Sequence, residues 1–407
     1  MDSAEDTRRE TNGQIPALAS RFLTPDQQSL VETVRSLSQE RFAPMAAQYD
    51  ADSTFPTENY RDLHEAGLLG LTIPEKYGGL GVDDLTYALC VGEISRGCSA
   101  TALTFNMHST ILTFIDELGT EEQKQFYFKE VAENGKLVAS ITSEPDSSFR
   151  DKYVLRTSFT PTDGGFHVEG LKHFCSLGDS ADYYFLTGML EGTSTAREGI
   201  LAALVPRADS GIKVERRWNA MGMRGTVSHT IRYDTLVKTS QIVGPPGGFL
   251  TVDLSRFSLG YAATYLGIAE TSFDFIVEYA KTKKVSSSTG AMSEDVVTQS
   301  AIAEMGTSIR VAKLLLCETA IVRNTGDDEA KMLATTQAKY LCAEVGVRVT
   351  EQAMRLAGGR GILKDMPLER WHRDALAGPV MPPSNERCLE TIGKIYCGLQ
   401  AANFEFR

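Results

Sequence analysis

From Thr24 to about Lys136, apolar residues recur at three-to-four spacing, the period of a helix that turns one face to a core. Leu30, Val31, Val34 and Leu37 share one such face. Thr24-Pro25 ahead of them supplies an N-cap hydroxyl and a proline at the first helical position, where a missing N–H costs nothing. A second helix is predicted over 63–71, stopping near Gly70, and another over 85–94, with a Pro/Gly turn region at 73–81 between them. The texture changes after Lys136. Short β-branched and aromatic runs at 138–142, 165–168, 183–186, 200–205 and 229–233 alternate with turn signals, as in a small antiparallel β domain. From Phe249 the helical period returns: Leu259, Ala263, Leu266, Ala269, Phe273 and Ile276 form one stripe, and Ile302, Met305, Ile309, Leu314 and Leu315 another.

The predicted order is a polar, poorly ordered tail (1–20), a helical domain (21–137), a middle antiparallel, barrel-like β domain (138–248) and a C-terminal four-helix bundle (249–407). The fold class is α+β, mostly α. At 407 residues the chain exceeds the size at which one core usually stops growing, so several packed sub-domains are expected. The formal charge of −12 argues against nucleic acid as a partner, because phosphate recognition needs a basic surface. Seven cysteines without a CxxC pair read as buried free thiols in a reducing compartment, and no metal site is expected. No apolar run approaches the roughly 20 residues of a membrane span. The start of the chain, with Asp2, Glu5 and Asp6, fits neither a signal nor a transit peptide, so a cytoplasmic protein is expected.

Several strings along this frame carry more chemistry. They are Ile73-Pro74-Glu75-Lys76-Tyr77-Gly78-Gly79-Leu80-Gly81, Ser140-Ile141-Thr142-Ser143-Glu144-Pro145, and Gly170-Leu171-Lys172-His173-Phe174-Cys175-Ser176. Further on come Met221-Gly222-Met223-Arg224-Gly225-Thr226, Ala357-Gly358-Gly359-Arg360-Gly361, and the segment from Pro367 to Asp374. In this order and spacing they resemble the signatures of the acyl-CoA dehydrogenase superfamily, over nearly the whole chain after residue 20. The resemblance implies FAD as cofactor, with its ring held by Thr142, Ser143, Phe174 and Ser176. Those residue types suit the task, since hydroxyls at strand ends bond a polar ring edge and a flat side chain covers an aromatic face. It also implies that Gly358 and Gly359 belong to the dinucleotide part of the site, shared between subunits of a homodimer or homotetramer, and that Arg256 meets the substrate.

The departures from the family pattern bear on the reaction. Family dehydrogenases place a catalytic Glu after the Arg-Asp-Ala signature, and counting without a gap from Arg373-Asp374-Ala375 that position is Pro382. A second family address for the base holds Ser255, ahead of Arg256. Neither residue accepts a proton readily. Glu386, His173 and His108 are the remaining candidates for proton transfer. The loop after Glu144-Pro145 reads Asp146-Ser147-Ser148-Phe149-Arg150-Asp151 in place of Gly-Ser-Asp. The pyrophosphate-gripping motif reads Lys283-Lys284-Val285-Ser286-Ser287, and Arg355 replaces the usual glutamine. Lys283 and Arg355 keep positive charge, although Lys lacks the bidentate fork of Arg.

Three functions follow from this pattern. One is α,β-dehydrogenation of a CoA- or carrier-protein-bound acyl thioester with a relocated base. Another is a flavin-dependent monooxygenase or N-hydroxylase of the same fold, using O2 with reduced FMN or FADH2 as co-substrate. A third is a binding protein without catalysis.

Overall fold

The computed structural model describes residues 22–145, 155–284 and 290–399. The tail 1–20, the loop 146–151 and residues 285–287 lie outside these.

Six helices open the chain: α1 (Pro25–Leu37), α2 (Ala46–Asp52), α3 (Thr57–Glu65), α4 (Asp84–Gly97), α5 (Ser99–Leu118) and α6 (Glu121–Ala132). The start of α1 is a capping box, in which the Gln27 N–H donates to the Thr24 hydroxyl and the Gln27 side chain returns to the Thr24 N–H. The helix predicted over 63–71 is displaced. It begins at Thr57 and ends at Glu65, and the chain then turns through Gly67 at φ +68°, a conformation that suits glycine. Leu68, Leu69 and Leu71 are buried in these turns, so their apolar run reflects core contact without helical period.

The middle of the chain is a seven-stranded sheet: β1 (Val138–Ile141), β2 (Ser158–Thr162), β3 (Gly165–Cys175), β4 (Tyr183–Leu190), β5 (Ile200–Pro206), β6 (Ile212–Arg216) and β7 (His229–Lys238), with a short α7 (Ala196–Gly199) before β5. The order is β1-β4-β2-β3-β7-β6, with β5 also on β4. Most pairings are antiparallel, as expected. However, β1 and β2 both run parallel to β4, against Tyr183–Leu186 and Met189–Leu190 respectively, so the sheet is mixed. Strands β2 and β6 carry no strong sequence signal. The first contains Pro161, and the second, Ile-Lys-Val-Glu-Arg, is largely exposed.

The C-terminal helices are α8 (Ser255–Thr282), α9 (Val296–Thr325), α10 (Asp328–Ala357), α11 (Leu368–Ala375), α12 (Ala377–Val380) and α13 (Asn385–Tyr396). Three long helices and α13 form the bundle, with α10 touching the other three. Helix α8 also packs on α4 and α5, which makes it the wall between the two helical regions. No helix among the described residues is long and apolar enough to cross a membrane.

Lys339 is a buried charge of the bundle with no carboxylate bonded to it among the described residues. Lys339 on α10 is fully buried, and its Nζ donates to the Gly378 carbonyl at 3.1 Å and to Asn385 Oδ1 at 2.9 Å. Burial pulls this amine down from 10.5 to about 8, with Cys388, Glu386 and Glu344 only partly opposing it. Between those two values the unfolded chain holds the proton more tightly than the folded one, so this group's contribution to stability rises with pH across that window. The expected outcome is that urea midpoints of the wild type gain on those of Lys339→Met between pH 8 and pH 10. The same slope in both proteins would contradict it.

Candidate active site

The site is built on two strand ends joined by a buried ion pair. Lys172 on β3 places its Nζ 2.8 Å from Glu144 Oε1 and 3.2 Å from the Thr142 carbonyl. Glu144 also accepts from the Arg156 N–H at 2.6 Å, the Thr157 N–H at 3.0 Å and the Thr157 hydroxyl at 2.6 Å. Burial would raise this carboxyl, but the Lys172 charge and these donors outweigh it and hold the group below the usual carboxylate range. Beside the pair, the His173 N–H donates to the Ser143 carbonyl at 2.9 Å. The β3–β7 register shifts between Lys172 and Cys175, and Phe174 takes φ +53°. This irregularity brings Phe174 and Ser176 to the wall that Thr142 and Ser143 also form.

That wall bounds a cavity of about 530 Å³ between the sheet and the helices. Such a volume suits a small-molecule site. Leu103 and Met107 of α5, Phe257 and Tyr261 of α8 and Leu254 just before α8 face the strand ends, and Met381, Pro382 and Pro383 close another side. The loop from Trp218 to Ser228 completes the enclosure. It is locked to α11: Asp374 accepts from the Met223 N–H at 2.6 Å and from the Ser99 hydroxyl. Arg373 pairs with Asp50 and Glu369 and donates to the Met221 carbonyl at 2.8 Å. A Cβ on Gly222 would lie 2.1 Å from the Arg373 carbonyl oxygen, so the loop reaches α11 only because that residue is glycine.

Three family models match in succession: the N-terminal domain of acyl-CoA dehydrogenase over residues 24–135, the middle domain over 139–236 and the C-terminal domain over 251–396. The chain belongs to the acyl-CoA dehydrogenase family. It is 29% identical to an acyl-CoA dehydrogenase of Bacillus subtilis, covering 92% of this chain and 99% of that protein. It is 30% identical to the mitochondrial short-chain specific acyl-CoA dehydrogenase of Bos taurus, covering 86% and 84%. Among solved structures, butyryl-CoA dehydrogenase from Megasphaera elsdenii superposes with a TM-score of 0.85 at 26% identity, covering 92% of this chain and 99% of that one.

Members of this acyl-CoA dehydrogenase family depend on FAD, and the cavity's donor set fits a flavin ring. Ser140, Thr142 and Ser143 line it with hydroxyls that have no hydrogen-bond partner among the described residues. Phe174, 56% exposed, is available to cover a ring face. Elsewhere the expected site residues scatter. Arg355 is paired with Glu351 on the surface of α10, and Lys283 ends α8. Gly358, at φ +67°, and Gly359 have open space where a Cβ would sit. None of these four lines the cavity.

The proton-transfer candidates also lie elsewhere. His108 is buried, its Nδ1 accepts from the Val138 N–H at 3.0 Å, and burial pushes it down to about 4, so it is a neutral structural group. His173 pairs through Nδ1 with the Thr230 hydroxyl at 2.6 Å and sits against Phe174 outside the wall. Glu386 lies in the first turn of α13, also outside the wall. Ser255 is held by Asp253 and Arg323, and Arg256 by Asp84. Pro382 does line the cavity. Among the described residues the wall contains no Asp, Glu or His, and the charge of Arg373 is engaged as above. Burial raises the Tyr261 phenol, whose hydroxyl faces the Met107 sulfur at 3.5 Å, so it offers no base either.

Trp218, Tyr261 and Ser228 are wall residues that the sequence did not single out, whereas Thr226 closes the Met221 to Thr226 string. Ser228 lies two residues past that string, which is the signal that could have found it. Nothing along the chain marks Trp218 or Tyr261. Lys172→Met would leave Glu144 buried and remove the ammonium that it meets among the described residues. The expected result is a loss of about 3–5 kcal/mol in urea unfolding together with weaker FAD retention. Unchanged stability would remove the ion pair from this role.

Proposed function

We propose that this chain is a flavin-dependent monooxygenase of the acyl-CoA dehydrogenase fold, acting on an apolar substrate in the cavity. The observation that carries the reading is the wall at Met381, Pro382 and Pro383, which lines the cavity; counted without a gap from Arg373-Asp374-Ala375, Pro382 falls where the family resemblance implies a base. Proline supplies no proton acceptor and, having no N–H, no donor for a developing oxyanion. That side of the cavity therefore supports neither abstraction of an α-proton nor stabilisation of an enolate. Reduced flavin, when bound, supplies the two electrons that split O2, one oxygen atom entering the substrate and the other leaving as water, with a separate reductase renewing the electrons.

The chain's own part is to bind, orient and exclude water. Thr142, Ser143 and Ser176 offer hydroxyls to the polar edge of the ring, while Leu103, Leu254 and Phe257 keep the opposite side apolar. Homodimer or homotetramer assembly belongs to the same reading. The open Gly358–Gly359 turn, with Arg355 near it, is free of neighbours in its own subunit at the positions a partner's cofactor phosphates would approach. Acyl-thioester dehydrogenation is the second reading, favoured by the relatives named acyl-CoA dehydrogenase.

The two readings differ in one titration. Acyl-CoAs of graded length added anaerobically to the oxidised, FAD-loaded protein are expected to leave its yellow colour intact, whereas the reduced protein consumes O2. Bleaching by any acyl-CoA would overturn the monooxygenase reading. Glu386→Gln is expected to leave every rate within about twofold of wild type, since its carboxylate lies outside the wall. A loss of flavin reduction in that variant would restore Glu386 as the base.

A further inference from the structure

Three hydroxyls in the cavity wall form a row with a fixed direction. Thr226 Oγ1 lies 2.8 Å from the Met223 carbonyl oxygen, which also accepts from the Trp218 indole N–H at 3.1 Å. A carbonyl has no proton, so the Thr226 proton fills that first contact. Thr226 Oγ1 is also 2.7 Å from Ser228 Oγ, and with the Thr226 proton committed, the proton between them belongs to Ser228. Ser228 Oγ is in turn 3.0 Å from Ser176 Oγ, and by the same count that proton belongs to Ser176. Thr226, Ser228 and Ser176 are 1%, 6% and 4% exposed, so bulk water does not rearrange the row. Ser176 consequently faces the cavity with lone pairs only.

We infer that the Ser176–Ser228–Thr226 row makes the cavity an acceptor at Ser176 and so selects reduced over oxidised flavin, with Ser228 and Thr226 as positioning residues. The inference rests on the reading that flavin occupies this cavity, and not on the oxygen chemistry. Reduction adds hydrogen to two ring nitrogens that in the oxidised isoalloxazine are acceptors. An acceptor at Ser176 gains a partner in the reduced ring and opposes lone pair to lone pair in the oxidised one. The preference is built by a carbonyl two hydroxyls away and requires no charge.

The test uses the full chain stripped of flavin, titrated with FAD and with dithionite-reduced FAD, together with the midpoint potential of the loaded protein. Ser228→Ala removes the acceptor for the Ser176 proton and lets that hydroxyl turn to the cavity as a donor. Its preference for reduced FAD is expected to fall about tenfold, a midpoint about 30 mV lower for a two-electron couple. Thr226→Val, which opens the row at its other end, is expected to move the potential the same way, and Ser228→Thr, which keeps a hydroxyl, to restore the wild-type value. An unchanged potential in Ser228→Ala and Thr226→Val, or an equal loss of affinity in both redox states, would overturn the row's role. Wild-type protein that binds FAD in neither state would instead remove the flavin reading itself.

Discussion

The cavity depends first on the buried contact between Lys172 and Glu144. Strand β1 is four residues long and meets β4 in parallel, which leaves the chain beyond Ile141 without a ladder of its own. What fixes it is charge: Lys172 Nζ reaches both the Thr142 carbonyl and Glu144, while Glu144 gathers the Arg156 and Thr157 N–H groups at the entry to β2. A buried pair of this kind gains little net stability over an apolar core, because desolvation offsets most of the attraction. Its value lies in geometry. Two apolar side chains in the same place would tolerate sliding by an ångström, whereas hydrogen bonds converging on one carboxylate do not.

A second constraint acts from the other side. The loop carrying Trp218 to Ser228 runs through two non-glycine residues with left-handed backbone, Met223 at φ +52° and Val227 at φ +43°, and the β-branched Val227 is the costlier. Such conformations persist only where surrounding contacts over-determine them. Here those contacts are Asp374 on the Met223 N–H, Arg373 on the Met221 carbonyl and the close backbone approach at Gly222. The Arg-Asp pair of the C-terminal signature thus holds the loop that orients the hydroxyl row.

Much of the architecture was legible because it rests on periodicity. The stripe from Leu259 to Ile276 became α8, and the run at 200–205 became the fully buried β5, since burial of one face or of a whole strand leaves a repeating trace. The parallel pairing of β1 with β4 was not legible, because pairing partners and direction leave no mark on a four-residue strand. The cavity wall was partly legible: Thr142, Ser143, Phe174 and Ser176 do come together. The proton-transfer candidates did not, for a physical reason. A histidine or glutamate announces chemistry equally whether it faces a cavity or a backbone N–H, and His108 spends its ring nitrogen on Val138. Ser255 and Arg256 are likewise absorbed by a cluster with Asp253, Asp84 and Arg323 that pins the start of α8 to α4 and α9.

The consequence for chemistry follows from what a wall lacks. A positioned general base contributes roughly 10²–10⁴-fold to proton abstraction, and a backbone donor at a developing oxyanion a comparable factor. A wall formed by Pro382 and Pro383 offers neither at that point of the cavity. The two prolines also make that side of the wall apolar and stiff. The wall thus combines hydroxyls at the strand ends and in the row with an apolar side at Leu103, Leu254 and Phe257.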